Sequence, residues 1–193
     1  MLIYAAIEDA IMARLRAASD SGALGYRLAE IASYGGEFDD ELFFTQVRRF
    51  PAVWVTIGGS KKKTGLGRKT IFTATIAVMV GTRTVRGERA TRHGTVTEPG
   101  SYQLLDDVRR LLTGQDFGLT IAALRPGADR TLFNVRQGKE ARSVLAVEFE
   151  TDYIFTQDDQ DAGTAGDLLR VGLHYYLKPG DDVEDASDAI SLA

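Results

Sequence analysis

Not one cysteine occurs among the 193 residues. That excludes a disulfide framework, thiolate-ligated zinc and a thiol nucleophile, and it fits a reducing compartment, the cytoplasm by default. Histidine is almost as scarce. His93 falls in a basic stretch and His174 on the less apolar face of an alternating strand, with no second imidazole at ligand or general-base spacing. No apolar run reaches the roughly 18 residues of a membrane span. The first residues, MLIYAAIEDAIMARLRAA, lack a basic start and hold Glu8 and Asp9 inside their apolar run, unlike a signal peptide. A soluble chain is expected. G-x-S-x-G, H-E-x-x-H and the Gly-rich dinucleotide fingerprint are also missing, so the sequence predicts no enzyme and no cofactor.

What is present is an ordinary globular composition, 44% hydrophobic with a net charge of −4. The length suits one substantial core plus an appendage, here expected as a domain over 1–157 and an extension over 158–193. The placement of charge says more than its sum. Residues 61–92 hold nine bases, Lys61, Lys62, Lys63, Arg68, Lys69, Arg83, Arg86, Arg89 and Arg92, against Glu88 alone. Residues 150–193 hold eleven acids against Arg170 and Lys178. Such opposed regions predict surfaces that meet other charged surfaces, whether copies of the same chain or a partner.

Ile3, Ala6, Ile7, Ala10, Ile11 and Leu15 make a stripe at helical spacing, predicting a helix over 2–18 with Arg14 and Arg16 near its negative end. A short strand is expected at 26–32, then a short helix or irregular segment ending at Pro51. AVWVTIGG and the alternating 68–80 (Phe72, Ala74, Ile76, Val78, Val80) predict a hairpin whose long glycine-rich tip carries the lysine run. A second basic loop should span 83–100, and loops of that length are usually functional or disordered. In 101–114, Leu104, Leu105, Val108, Leu111 and Leu112 predict a helix with Ser101 as N-cap and Gly114 at its end. GLTIAALRPG and RTLFNVR read as two strands around a Pro-Gly turn. In RSVLAVEFETDYIF, Leu145, Val147, Phe149, Tyr153 and Phe155 alternate with Ala146, Glu148, Glu150 and Asp152, an antiparallel strand with one wet face. DLLRVGLHYYLKPGDD alternates through Leu169, Val171, Leu173, Tyr175 and Leu177. The sum is an α+β fold, mainly antiparallel sheet flanked by two amphipathic helices, with a C-terminal β arm that adds to a sheet, its own or a neighbour's.

Four clusters invite chemistry. GGSKKKTGLGRKTIF, residues 58–72, looks like a phosphate loop, but Arg68 stands where Gly-Lys-Thr needs glycine and a strand follows where a helix should. Glu37, Asp39, Asp40 and Glu41 could hold a hard cation, although such a run more often starts a helix in solvent. Glu148, Glu150 and Asp152 resemble paired catalytic carboxylates, yet their period of two makes them a strand's wet face. The two basic loops could grip a nucleic-acid backbone, but they lack interleaved aromatics.

In their order, the amphipathic first helix, LFFTQVRRFPAVWVTI, GSYQLLDDVRRLLTGQDFGL, LRPG, VLAVEFETDY and the late DLLRVGLHYYLKPGDD resemble the Mu-like phage tail-terminator family. The resemblance implies a structural virion protein that caps the tail tube as a homo-oligomeric ring, a hexamer, ends tube growth and joins tail to neck. Its implied partners are the tail tube protein, a neck or head-completion protein and the tail sheath, with no membrane, and DNA only as it passes through the ring lumen. It implies assembly in the host bacterial cytoplasm, a final place in the virion tail, and no catalytic residue. Assigning the basic loops to a partner, and Leu169, Val171, Leu173, Tyr175 and Leu177 to an inter-subunit arm, rests on their charge and pattern. The alternative is a phage-encoded nucleic-acid-binding module.

Overall fold

The structure is a computed structural model that describes residues 2–35, 49–137, 140–157, 170–175 and 186–191. The chain divides into two compact units, Met1–Thr156 and Gln157–Ala193. In the first, the elements run α1 (Ile3–Asp20), β1 (Glu30–Ser33), β2 (Ala52–Leu66), β3 (Lys69–Thr84), α2 (Glu88–His93), α3 (Ser101–Leu112), β4 (Arg125–Gln137) and β5 (Glu140–Thr156). They build an α+β unit around a five-stranded sheet of order β1-β2-β3-β5-β4. The sheet is mixed: β1 runs parallel to β2, and every other neighbour is antiparallel.

The predicted stripe of α1 is its buried face. Ile7, Ile11 and Leu15 are fully buried and meet Leu104, Val108 and Leu112 of α3 over Val53, Val55, Ile76, Val78, Val80, Val147 and Phe149 of the sheet. Period 3.6 on the helices and period 2 on the strands thus converge on one apolar layer. Because α1 continues to Asp20, Arg14 and Arg16 are not in its last turn. Arg14 instead donates from Nε to the carbonyl of Leu111, near the C-terminus of α3, where a cation also suits the dipole. The Tyr26 phenol donates to Asp107 Oδ2 at 2.9 Å. Burial, and then that carboxylate, push its pKa far above the ordinary value.

Several local expectations are corrected. Ser101 lies inside α3, with Gly100 at the N-cap; its hydroxyl is committed to Ser143 Oγ at 2.9 Å, and both side chains are buried. The first short strand begins at Glu30, not at residue 26. The Pro-Gly pair does not turn the chain. Pro126 and Gly127 lie within the single strand β4, where a register shift between Pro126 and Asp129 absorbs them. Residues 118–124 contribute only a bridge from Ile121 to Tyr153. The expected wet face of β5 is wet only along part of its length: Val144 and Ala146 join Ala52, Trp54 and Met79 in a second small cluster. The segment expected before Pro51 lies largely outside the described residues, as do Glu37, Asp39, Asp40 and Glu41.

The second unit holds a two-stranded antiparallel sheet, β6 (Arg170–Tyr175) with β7 (Ala186–Ser191). The arm's alternating segment is therefore a strand over part of its expected length, and Leu169 and Leu177 lie outside the described residues. Its described partner is β7, which polar, acidic sequence had hidden.

Candidate functional site: a basic three-stranded ribbon

The lysine run is not on a loop. β2 continues as a strand through Lys61, Lys62 and Lys63 to Leu66, and the chain turns only at Gly67 and Arg68 before β3 begins at Lys69. The whole predicted tip is ribbon. Two register shifts, between Ile57 and Gly59 and between Lys62 and Thr64, let a poor strand sequence stay paired with a strong one. Gly59, at φ 115°, takes the conformation that the first bulge needs and that other residues resist. β1 pairs only with Ala52–Val55, so among the described residues the outer edge of β2 beyond Val55 has no strand beside it. Residues 58–65 are exposed.

The basic side chains do not share one role. Lys63 Nζ lies 2.7 Å from Asp152 Oδ2 on β5. The same carboxylate accepts from Thr73 Oγ1 at 2.6 Å and from Arg125 at 3.2 Å. These donors, Lys63 first, hold its pKa down at about 2. Lys63 is thus a rivet across the ribbon rather than a free contact. Lys61, opposite Thr73, and Lys62, opposite Phe72, form no ion pair among the described residues, nor does Lys69. Glu148, another member of the acidic row, pairs with Arg130 at 2.9 Å. Within the row, Asp152 and Glu148 each fasten β5 to a neighbouring strand.

Aromatic residues missed in sequence line the ribbon. Phe72 stacks on Tyr153 (centroids 5.7 Å apart, planes at 19°) and meets Phe155 edge-on at 6.4 Å. Tyr4 of α1 donates to Ser60 Oγ at 2.7 Å and lies 3.2 Å from the Tyr153 hydroxyl, tying the helix to the ribbon. Burial raises the Tyr153 phenol. Phe72, Tyr153 and Phe155 had each appeared in an alternating pattern; only the strand pairing brings them together. On the opposite face Ile71 pairs with Ile154, which is 53% exposed. Beside it a groove of about 370 Å³ is lined by Lys63, Ile71, Ile121, Asp152, Tyr153 and Ile154, among others.

The second basic stretch lies elsewhere. Lys69 and Arg83 are near opposite ends of β3, roughly 45 Å apart at strand rise, so the two groups do not form one grip. Nor is 83–100 a plain loop. Arg83 is on β3, beside Glu140 at 3.7 Å and over the Phe50 ring at 5.9 Å. Arg89 and Arg92 are on α2, and Arg86 precedes it. Thr91, buried within α2, donates to the Gly87 carbonyl at 3.0 Å, and its own carbonyl accepts from Thr82 Oγ1 at 2.8 Å. A side chain at Gly100 would run into the backbone of Gly94 and Arg92.

Among the described residues no three metal-ligating side chains gather, and no helix is long and apolar enough to cross a membrane. Among the described residues the ribbon has an outer edge with no strand beside it beyond Val55, and Lys61, Lys62 and Lys69 form no ion pair there. The sequence profile of the family described as Bacteriophage Mu, Gp37 matches residues 3–154. The chain belongs to this bacteriophage Mu Gp37 family. No curated protein matches it. Membership makes it a Mu-like phage protein and points to a structural, tail-related component of the particle. The family match spans both amphipathic helices and nearly the whole sheet, the ribbon included, and stops before the β6–β7 unit.

Proposed function

We propose that the chain is a tail terminator, a structural protein that closes into a ring of identical copies on the end of the tail tube, ends tube growth and presents a surface to the neck. The observation that carries this reading is the Mu Gp37 match over residues 3–154. The structure supports it by offering surfaces rather than chemistry. A basic ribbon whose outer edge has no strand beside it among the described residues belongs to one unit, and an acidic second unit follows in the same chain. Two unlike surfaces on one subunit give heterologous contacts, which close into rings when the rotation permits. A hexamer is the ring expected, held to the tail tube protein on one side and a neck or head-completion protein on the other. Lys61, Lys62, Lys69, Arg86, Arg89 and Arg92 serve as contact residues, with no cofactor and no catalytic step. Deleting the gene from its phage tests this: tubes of uncontrolled length that fail to join heads support it, and normal tails on infectious particles refute it.

A second reading, nucleic-acid binding, draws on one observation, that Phe72 and Phe155 lie on the ribbon beside Lys62 and Lys69. Rings beside bases suit single strands. However, Phe72 already stacks on Tyr153, and Arg83, Arg86, Arg89 and Arg92 lie at or beyond the other end of β3. Tight DNA binding whose affinity falls steeply with salt, lost in Lys61→Ser/Lys62→Ser, would favour it.

A further inference from the structure

We infer that the open edge of β2, from Gly58 to Leu66, is the receptor for β7 of a second copy, which adds to the sheet as a sixth strand. The inference rests on the ring reading and specifies the contact that would close the ring.

Three observations carry it. The first is geometric. β1 covers only Ala52–Val55, which leaves the nine residues 58–66 of β2 with unpaired backbone groups on one side among the described residues. That is roughly 30 Å of edge, enough for the six residues of β7. The second is energetic. Among the described residues the second unit holds two six-residue strands, and a lone two-stranded sheet of that size is marginal in water unless another surface receives it. The third is electrostatic. Residues 157–193 hold nine carboxylates against Arg170 and Lys178. Both bases lie in or just after β6, whereas Asp181, Asp182, Glu184, Asp185 and Asp188 lie just before or within β7. β6 already occupies one edge of β7. The other edge of β7 has no strand beside it among the described residues, and the receiving strand carries Lys61, Lys62 and, past the turn, Lys69.

Lysines and bulges on an edge strand usually guard against pairing with other edges. Here they set a choice. β2 against β2 of another copy would oppose lysine to lysine, whereas β7 carries no base, holds Asp188 and belongs to an acidic segment of the chain. Main-chain hydrogen bonds would give the affinity and charge the specificity. The contact joins two different edges, so each copy both gives and receives a strand.

The lack of native cysteine makes the test direct. Thr64 and Ser187 are both exposed. Full-length Thr64→Cys and Ser187→Cys proteins are prepared separately, mixed at assembly concentration and treated with a short bifunctional thiol reagent. A species of twice the chain mass should form in the mixture and not with either variant alone. It should be lost when the first carries Lys61→Glu/Lys62→Glu and return when the second carries Asp188→Lys. Rings that assemble with no mixed cross-link overturn this inference and leave the ring reading standing. Internal cross-linking of a Thr64→Cys/Ser187→Cys double variant at high dilution overturns it in favour of the chain's own edge. Full-length protein that stays monomeric, with and without tube subunits, overturns both.

Discussion

Replacing Asp152 by Asn should loosen the ribbon in a manner that depends on pH. The carboxylate sits among Lys63, Thr73 and Arg125 with 17% of its side chain exposed, and its pKa is lowered from 3.8 to about 2. At about 1.4 kcal/mol per pKa unit the nominal stabilisation is roughly 2.5 kcal/mol. Lys63 and Arg125 are about half exposed, at 55% and 46%, so solvent screening reduces this to about 1 kcal/mol. A folded pKa below the unfolded one means that the unfolded chain binds the extra proton. The contribution is therefore complete above about pH 5 and is lost as pH falls through 4 towards 2. Denaturant titrations of wild type and Asp152→Asn at pH 7, 5, 4 and 3 measure it. The expected result is a gap of about 1 kcal/mol at neutral pH, equivalent to a melting shift of ~2–4 °C for a unit this size, narrowing at pH 4 and 3. A gap that is absent at pH 7, or the same at every pH, would refute the reasoning.

The three lysines should separate in the same assay. Lys63→Ser should cost about as much as Asp152→Asn and be non-additive with it, whereas Lys61→Ser and Lys62→Ser should leave stability within about 0.5 kcal/mol of wild type; equal losses from all three would show that the rivet is misassigned. Phe149→Ala removes a fully buried ring between the helices and the sheet and should cost about 3–5 kcal/mol by denaturant titration. Gly81→Ala places a Cβ 2.8 Å from the Trp54 ring and 3.0 Å from Phe50. It should cost about 1–3 kcal/mol and shift the emission of the single tryptophan; unchanged emission and stability would mean that this face has room to spare.

The long regular elements were legible because each buries one face. The apolar spacing of α1, α3, β3 and β5 survives as the list of residues that meet in the main cluster. Elements that owe their existence to something else were not. Ser60, Lys61 and Lys62 have little strand propensity of their own and are held by pairing with Ala74, Thr73 and Phe72. α2, reading ERATRH, has no apolar face; it stands on a buried threonine and a close glycine contact. β4 was split at Pro-Gly because a bulge cannot be told from a turn without its partner strand. β7 is short and polar, and only its register with β6 identifies it. Of the proposed contact surface, composition located the charge, but telling the rivet Lys63 from Lys61 and Lys62, which form no ion pair among the described residues, needed Asp152, 89 residues further on. The distance between the two basic groups needed the length of β3.

The mass and shape of the full-length protein bear most directly on the ring that this account places at the end of a tail tube. Electron microscopy with analytical ultracentrifugation, over a range of concentrations and with tail-tube subunits present, would measure both. Closed rings of identical copies, hexameric by mass, are the expected result. A monomer under every condition, tube subunits included, would contradict the account.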